Sequence, residues 1–207
     1  MFHLPLTSLA AQLGDIDIYL FDQLLKGRIR KGVTLLDAGC GTGRNIRYLM
    51  QAGVKAFGAD SSEAAIAKVR AMAAEVAPAT SAKNFVVSDL AALPFADEQF
   101  DVVLCSAVLH FAKDEMHFRG MVQELWRVLQ PGGMLFCRLS TTIGMEGKLQ
   151  QVGERLYQMP HGPAWFLADE KLLRELLATL GATMLEPLKT VLVEQDRSMT
   201  TLVLQKR

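Results

Sequence analysis

The chain lacks an excess of charge of either sign, a long apolar run and a paired set of cysteines. Its 22 Lys and Arg residues balance 22 Asp and Glu residues, so net charge provides no attraction to nucleic acid or to an anionic membrane. No segment has the ~20 consecutive apolar residues of a membrane-spanning helix, and the first 17 residues do not resemble a signal peptide. Cys40, Cys105 and Cys137 lie in or beside apolar runs without zinc-ligand or disulfide spacing. These absences predict a cytoplasmic protein that contacts neither membrane nor nucleic acid.

Short apolar runs alternate with amphipathic stretches along most of the 207 residues. Repeated alternation of strand and helix predicts a single α/β domain, doubly wound and Rossmann-like, with helices on both faces of a mostly parallel sheet. The last two runs, "KTVLVEQ" and "MTTLVLQK", are joined by "DRS" and indicate an antiparallel pair at the sheet edge. We expect seven strands, with an antiparallel strand at the C-terminal end.

Polar residues follow the predicted strands at their carboxyl ends. Residues 37–43 follow the first strand, Asp60 ends the second, Asp89 ends the third, and residues 105–110 follow the fourth. Ligands of doubly wound sheets bind at this edge, near the point where the strand order reverses. Acidic residues scattered over a surface would not align in this way, so we expect a ligand site there.

The glycine-rich turn "DAGCGTG", residues 37–43, fits neither common phosphate-binding pattern. A dinucleotide fingerprint would need a third small residue where Arg44 or Ile46 stands, and a nucleoside-triphosphate loop would need Lys and Ser or Thr after Gly43. An aspartate before the glycines suits an ammonium or sulfonium group better than a pyrophosphate.

The order of this turn, with an acid ending the next strand at Asp60, resembles the nucleotide-binding motif of the class I S-adenosylmethionine-dependent methyltransferases. Four further segments follow in that family's order and at roughly its spacing: "GAD", "VVSDLAALPF", "FDVVLCSAVLHF" and "LWRVLQPGG". The resemblance covers most of the chain and implies S-adenosyl-L-methionine as the cofactor.

Transferred residue by residue, the resemblance implies a set of cofactor-binding residues. Gly39 and Gly41 would admit the methionine and ribose portion close to the backbone. Asp60 would accept from the ribose hydroxyls and Asp89 from the adenine amino group, although either acid could instead be a helix cap or a turn residue. The complete set is Asp37, Gly39, Gly41, Asp60, Ser61, Asp89, Leu90, Cys105 and Ser106.

Methyl transfer from a sulfonium needs alignment above all, and a general base only where the acceptor must lose a proton. His110, just past the fourth strand, is the one candidate catalytic base near the site, and the alternative is a histidine packed against Phe111 or Phe118. The other histidines, His3, His117 and His161, match no metal-ligand pattern, so we predict no metal.

We divide the domain into four segments. Residues 1–33 form an N-terminal helical segment, residues 34–140 the cofactor-binding core, and residues 169–207 a C-terminal helix with antiparallel strands. Residues 141–168 contain Trp165 among glycines and prolines and are expected to form either a mobile substrate cover or a helix with a packed loop.

A small-molecule methyl acceptor is favoured because the tetrapeptide of DNA amino-methyltransferases is absent after the fourth strand, where the chain has "CSAV". The alternative is a non-catalytic domain that binds S-adenosylmethionine or S-adenosylhomocysteine for sensing or scaffolding. A nicotinamide-dependent oxidoreductase is disfavoured by Arg44 in the glycine turn. The atom that is methylated and the oligomeric state remain open.

Overall fold

The computed structural model describes residues 11–160, 162–194 and 196–207. From residue 18 onward the helices are α1 (Ile18–Leu25), α2 (Arg47–Gln51), α3 (Glu63–Val76), α4 (Glu115–Val128) and α5 (Glu170–Leu180). The strands are β1 (Thr34–Ala38), β2 (Lys55–Asp60), β3 (Phe85–Val87), β4 (Phe100–Ser106), β5 (Leu129–Thr141), β6 (Gln150–Gly153), β7 (Leu156–Gln158), β8 (Ala164–Phe166), β9 (Thr183–Met184), β10 (Lys189–Val193) and β11 (Arg197–Gln205).

Seven strands form the main sheet in the order β10-β11-β5-β4-β1-β2-β3, and the two-residue β9 pairs beside β11. β1 to β5 are parallel, whereas β11 runs antiparallel to both β5 and β10. The predicted fold is therefore confirmed, including the antiparallel C-terminal pair. β1 lies between β2 and β4, so the strand order reverses at its carboxyl end, where a crevice opens in sheets of this type.

The core has one apolar layer on each face of the sheet. Successive residues of β4 belong to different layers, since Val103 packs with residues of α4 and α5 while Val102 and Leu104 pack with residues of α1, α2 and α3. A period of two along a strand produces this division. It explains why "FDVVLCS" is almost wholly apolar, as expected for a strand covered on both faces.

The described residues of the segment 141–168 contain three short strands and no helix with a packed loop, which was one of the two alternatives for this segment. β6, β7 and β8 form a separate antiparallel sheet, in which Tyr157 of β7 stands opposite Trp165 of β8. Phe166 is 1% exposed, and its ring stacks on Phe118 of α4 with centroids 4.9 Å apart. The end of the segment is thus anchored in the core. No helix in the described ranges is both long and apolar enough to cross a membrane.

Candidate functional site

A cavity of about 640 Å³, the first cavity, opens at the carboxyl edge of β1, β2 and β4. The structure brings most of the predicted cofactor-binding residues into its wall: Gly39, Asp60, Ser61, Asp89, Leu90 and Ser106. The sequence had not assigned the other residues of the wall: Arg44, Ala107, Val108, Phe111, Lys113, His117 and Met121.

Three of the predicted residues lie outside that wall: Asp37, Gly41 and Cys105. The Cys105 side chain is fully buried, and its contact with the Cys137 thiol together with burial raises its pKa well above the ordinary range. That thiol belongs to the core. A backbone role for Cys105 toward a cofactor stays a prediction.

The glycine turn after β1 owes its composition to its neighbours. Gly39 has a φ of +81°, and a Cβ there would lie 2.3 Å from Cγ2 of Val108 in the cavity wall. A Cβ at Gly43, with a φ of +88°, would lie 2.3 Å from Cε of Met72 in α3. The backbone therefore approaches both the cavity wall and α3 at distances that only glycine permits.

Asp60 holds this turn against β2. Its Oδ2 accepts from the Gly41 amide at 2.9 Å and its Oδ1 from the Ser62 amide at 2.9 Å. The helix cap of α3 is Ser62, whose Oγ accepts from the Ala65 amide at 3.2 Å. Each carboxylate oxygen of Asp60 retains further acceptor capacity toward the first cavity.

Asp37 is the one acid at the edge that lacks any partner within the described residues. It is 1% exposed, and neither carboxylate oxygen has a hydrogen-bond donor among them. Burial raises its pKa to about 7, with Asp60 adding to the rise and Arg44 opposing it. A buried carboxylate without a donor is costly.

His117, which the sequence analysis considered only as a metal ligand, positions Asp89. Its Nδ1 accepts from the Lys113 amide at 3.2 Å, so the ring proton is on Nε2, which lies 3.2 Å from Oδ1 of Asp89. The Ala91 amide donates to the same oxygen at 2.9 Å, and together these bonds lower the pKa of Asp89. Oδ1 of Asp89 is thus occupied by bonds within the protein, while Oδ2 stays available to a ligand.

His110 is buried, 3% exposed, between Phe111 and Trp165, with ring centroids 4.5 Å from each. Burial, together with the charges of Arg197 and Arg138, lowers its pKa to about 4. Its Nδ1 accepts from the Ser140 amide at 3.3 Å, which leaves the proton of the neutral ring on Nε2. In this tautomer Nε2 of His110 donates a hydrogen bond and cannot accept a proton. The predicted base role would therefore require the tautomer with the proton on Nδ1.

A second cavity of about 260 Å³ adjoins the first and shares Ala107 and Phe111 with it. The rest of its wall is His110, Arg138, Trp165, Arg197 and Met199. Ala107 has a φ of +62°, an unfavourable conformation for a residue with a Cβ. Trp165 comes from residues 141–168, the segment expected to cover a substrate. That segment thus contributes one side chain to a cavity beside the first one.

The N-terminal segment is joined to the same edge by Asp17, the cap of α1. Its Oδ2 accepts from Ser106 Oγ at 3.0 Å and lies 3.3 Å from Nη1 of Arg138. The Arg138 guanidinium in turn lies over the Tyr19 ring, 5.3 Å from its centroid. The segment before β1 thus contacts Ser106, a residue of the first cavity's wall, and Arg138, a residue of the second cavity's wall. His3 and His161 lie outside the described residues.

Comparison with known proteins places this arrangement in a family. A family of methyltransferase domains matches residues 36–137. A curated malonyl-[acyl-carrier protein] O-methyltransferase of Enterobacter lignolyticus is 30% identical over 175 residues, which are 84% of this chain and 64% of that protein. A solved S-adenosylmethionine-dependent methyltransferase of Methanosarcina mazei superimposes with a TM-score of 0.72 at 20% identity, covering 88% of this chain and 96% of that one.

Residues 36–137 form a methyltransferase domain of the class I S-adenosylmethionine-dependent type.

A third similarity concerns the acceptor. A tRNA U34 carboxymethyltransferase of Idiomarina loihiensis is 28% identical over 153 residues, 72% of this chain and 45% of that protein. The chain thus spans between about half and two thirds of these two curated relatives. Because one relative is named for an action on tRNA, the comparisons do not exclude a nucleic-acid acceptor, and its predicted absence stays a prediction.

The site of this methyltransferase domain fits the family's cofactor, S-adenosylmethionine. The cofactor carries an ammonium and two ribose hydroxyls but no phosphate. The carboxylate of Asp37, which has no hydrogen-bond donor within the described residues, matches the cation, and the spare acceptor capacity of Asp60 matches the hydroxyls. In the described part of the chain, no group of three or more His, Cys, Asp and Glu side chains could hold a metal ion.

Proposed function

We propose that the chain is a methyltransferase that moves the methyl group of S-adenosylmethionine onto a small-molecule acceptor. The observation that carries the proposal is Asp37, a buried carboxylate without a donor in the described ranges, beside a glycine turn and Asp60 at the point where the strand order reverses. A cationic, phosphate-free nucleoside would supply the positive charge that this buried acid lacks among the described residues.

The residues of the first cavity, together with Asp37 in β1, would bind and orient the cofactor. Asp37 would face the ammonium, Asp60 the ribose, and Asp89, held by His117, the adenine amino group. When bound, the cofactor supplies an electrophilic methyl group on a positively charged sulfur. The protein then has to align an acceptor with that methyl group and exclude water, and such alignment contributes on the order of 7–11 kcal/mol.

The second cavity supports a small acceptor. Its volume of about 260 Å³ and its aromatic side chains, Phe111 and Trp165, suit an organic group of modest size next to the first cavity. Residues 141–168 supply Trp165 to its wall, which agrees with the proposed role of this segment as a substrate cover.

The test is transfer of labelled methyl from S-adenosylmethionine into a low-molecular-mass metabolite fraction and, separately, into tRNA. We expect label in small molecules with matching formation of S-adenosylhomocysteine, and less of both with the Asp60→Ala variant at a subsaturating cofactor concentration. Label in tRNA alone would contradict the small-molecule acceptor. Cofactor binding without transfer into any fraction would favour the non-catalytic alternative.

A further inference from the structure

The second cavity is rich in hydrogen-bond donors. Arg138 and Arg197 contribute guanidinium groups, and His110 contributes Nε2–H because its Nδ1 already accepts from the Ser140 amide. Within the described residues, Arg138 Nε and Trp165 Nε1 are buried without an acceptor. Unpaired buried donors are unfavourable, and an acceptor brought by a ligand would relieve that cost.

The two arginines also leave positive charge beside this cavity. Asp17 lies 3.3 Å from Arg138 and compensates that residue. Arg197 is exposed at the start of β11, and the described side chains provide it with no ion pair. Both guanidinium groups are near enough to His110 to lower its pKa. One guanidinium group without an ion pair among the described side chains therefore lies at the cavity.

The aromatic part of the wall restricts what this charge can bind. The rings of His110 and Trp165 are tilted by 34° with centroids 4.5 Å apart, and Phe111 meets Trp165 edge-on at 5.6 Å. Apolar surface next to cationic donors suits an organic anion better than a strongly hydrated inorganic ion. A planar carboxylate also matches the planar fork of a guanidinium.

We propose that the second cavity binds the carboxylate of the methyl acceptor, so that the substrate is an organic acid held between Arg138 and Arg197. This inference rests on the proposed function, because it assigns the acceptor's class at the same site. In it, Arg197 is the residue that determines specificity, since Arg138 is shared with Asp17.

The experiment uses Trp165 as its own reporter. In a Trp126→Phe background, the other tryptophan is removed and the remaining emission comes from the wall of the second cavity. Benzoate, malonate and hexanoate are titrated in the presence of saturating S-adenosylhomocysteine, each beside its neutral amide. We expect saturable binding of at least one carboxylate and at least tenfold weaker binding of its amide.

The decisive variant is Arg197→Gln, which removes the charge at an exposed position. It should weaken carboxylate binding by about tenfold or more, the loss expected for a charge-assisted hydrogen bond. Arg174→Gln is the matched control, because Arg174 is an exposed arginine of α5 that pairs with Glu170. It should leave binding unchanged.

Three results would overturn the proposal: no response to any of the three acids, amides that bind as well as the acids, or equal binding by the Arg197→Gln variant. Competition by inorganic phosphate as strong as that by benzoate would mark a simple anion site instead. Binding of S-adenosylhomocysteine is measured in the same samples. Its absence would count against the proposed function, whereas its presence without carboxylate binding would contradict this inference alone.

Discussion

Replacing Asp37 with asparagine should stabilise the protein and weaken its binding of cofactor. The carboxylate is 1% exposed, and its pKa is raised from 3.8 to about 7 by burial. A raised native pKa means that the stability contribution is full below pH 3.8 and is lost as the pH rises through 7. At pH 7 the lost stability amounts to about 4 kcal/mol, at 1.36 kcal/mol per unit of pKa.

The asparagine side chain of the Asp37→Asn variant keeps the shape of the aspartate but carries no charge to bury. Its amide group remains without a partner, at a cost of about 1–3 kcal/mol. The variant should therefore be more stable than the parent protein at pH 7 by roughly 1–3 kcal/mol in the free energy of unfolding. Because the parent protein alone titrates, this difference should grow by about 2 kcal/mol between pH 5 and pH 7 and level off above pH 7.

The assay is urea unfolding at pH 5, 6, 7 and 8 without ligand. Glu75→Gln is the matched control, since Glu75 is an exposed acid of α3; its difference from the parent should stay near zero throughout. A variant no more stable than the parent at pH 7, or a difference independent of pH, would refute the reasoning that Asp37 is buried and unpaired.

The same acid should link cofactor binding to protons. In the ligand-free protein the pKa of Asp37 is about 7, so about half of the carboxyl groups carry a proton at pH 7. An ammonium beside Asp37 would keep the carboxylate ionised, so ligand binding at pH 7 should release about half a proton. Calorimetry of S-adenosylhomocysteine in two buffers of different ionisation enthalpy measures this number. The Asp37→Asn variant should release none and bind at least tenfold more weakly.

The remaining predictions concern three other residues. Asp60→Ala should weaken S-adenosylhomocysteine binding by about tenfold or more, ~1.4 kcal/mol, in a titration. Since Asp60 also accepts two backbone amides, the ligand-free melting temperature should fall modestly, and undiminished binding would show that the residue only supports the turn. Trp165→Ala should weaken acceptor binding, followed by calorimetry, with little change in cofactor affinity; loss of both would mean that the residue is structural. Phe166→Ala should cost about 3–5 kcal/mol of unfolding free energy, because its buried ring stacks on Phe118, and a cost below about 1 kcal/mol would contradict that anchoring.

The sheet and the edge that carries the candidate site could both be predicted from the sequence, because both follow from local patterns. Alternation of strand and helix determines the parallel order, and the acids at strand ends mark the edge without any knowledge of packing. Asp60 and Asp89 reach the same cavity wall because β2 and β3 are neighbours that end together. The glycines of the turn could also be located, although the contact of Gly39 with Val108 could not.

The walls of the second cavity could not be predicted, because they come from separate parts of the chain. Arg138 lies in β5, Trp165 in β8 and Arg197 in β11, and only the tertiary fold places them together. One signal was present: Arg138 interrupts the apolar run "MLFC" to "LS" near the carboxyl end of a buried strand. A charge at such a position indicates a partner or a ligand.

The small sheet of β6, β7 and β8 was missed for a different reason. Its strands contain only three or four residues each, too few for alternation to be recognised. Glycines and prolines between them resemble those of an open loop. The burial of Phe166 against α4, which fixes the segment, depends on a contact that no local pattern reveals.

The central claim, a site for a cationic, phosphate-free nucleoside, is tested most directly by calorimetric titration of the purified protein with S-adenosylmethionine, S-adenosylhomocysteine and NADH. We predict saturable binding of the first two with one site each and no binding of NADH. Ligand at a hundredfold excess over its dissociation constant should also stabilise the protein by about 2.7 kcal/mol. Binding of NADH with neither sulfur nucleoside bound would contradict the assignment of the first cavity.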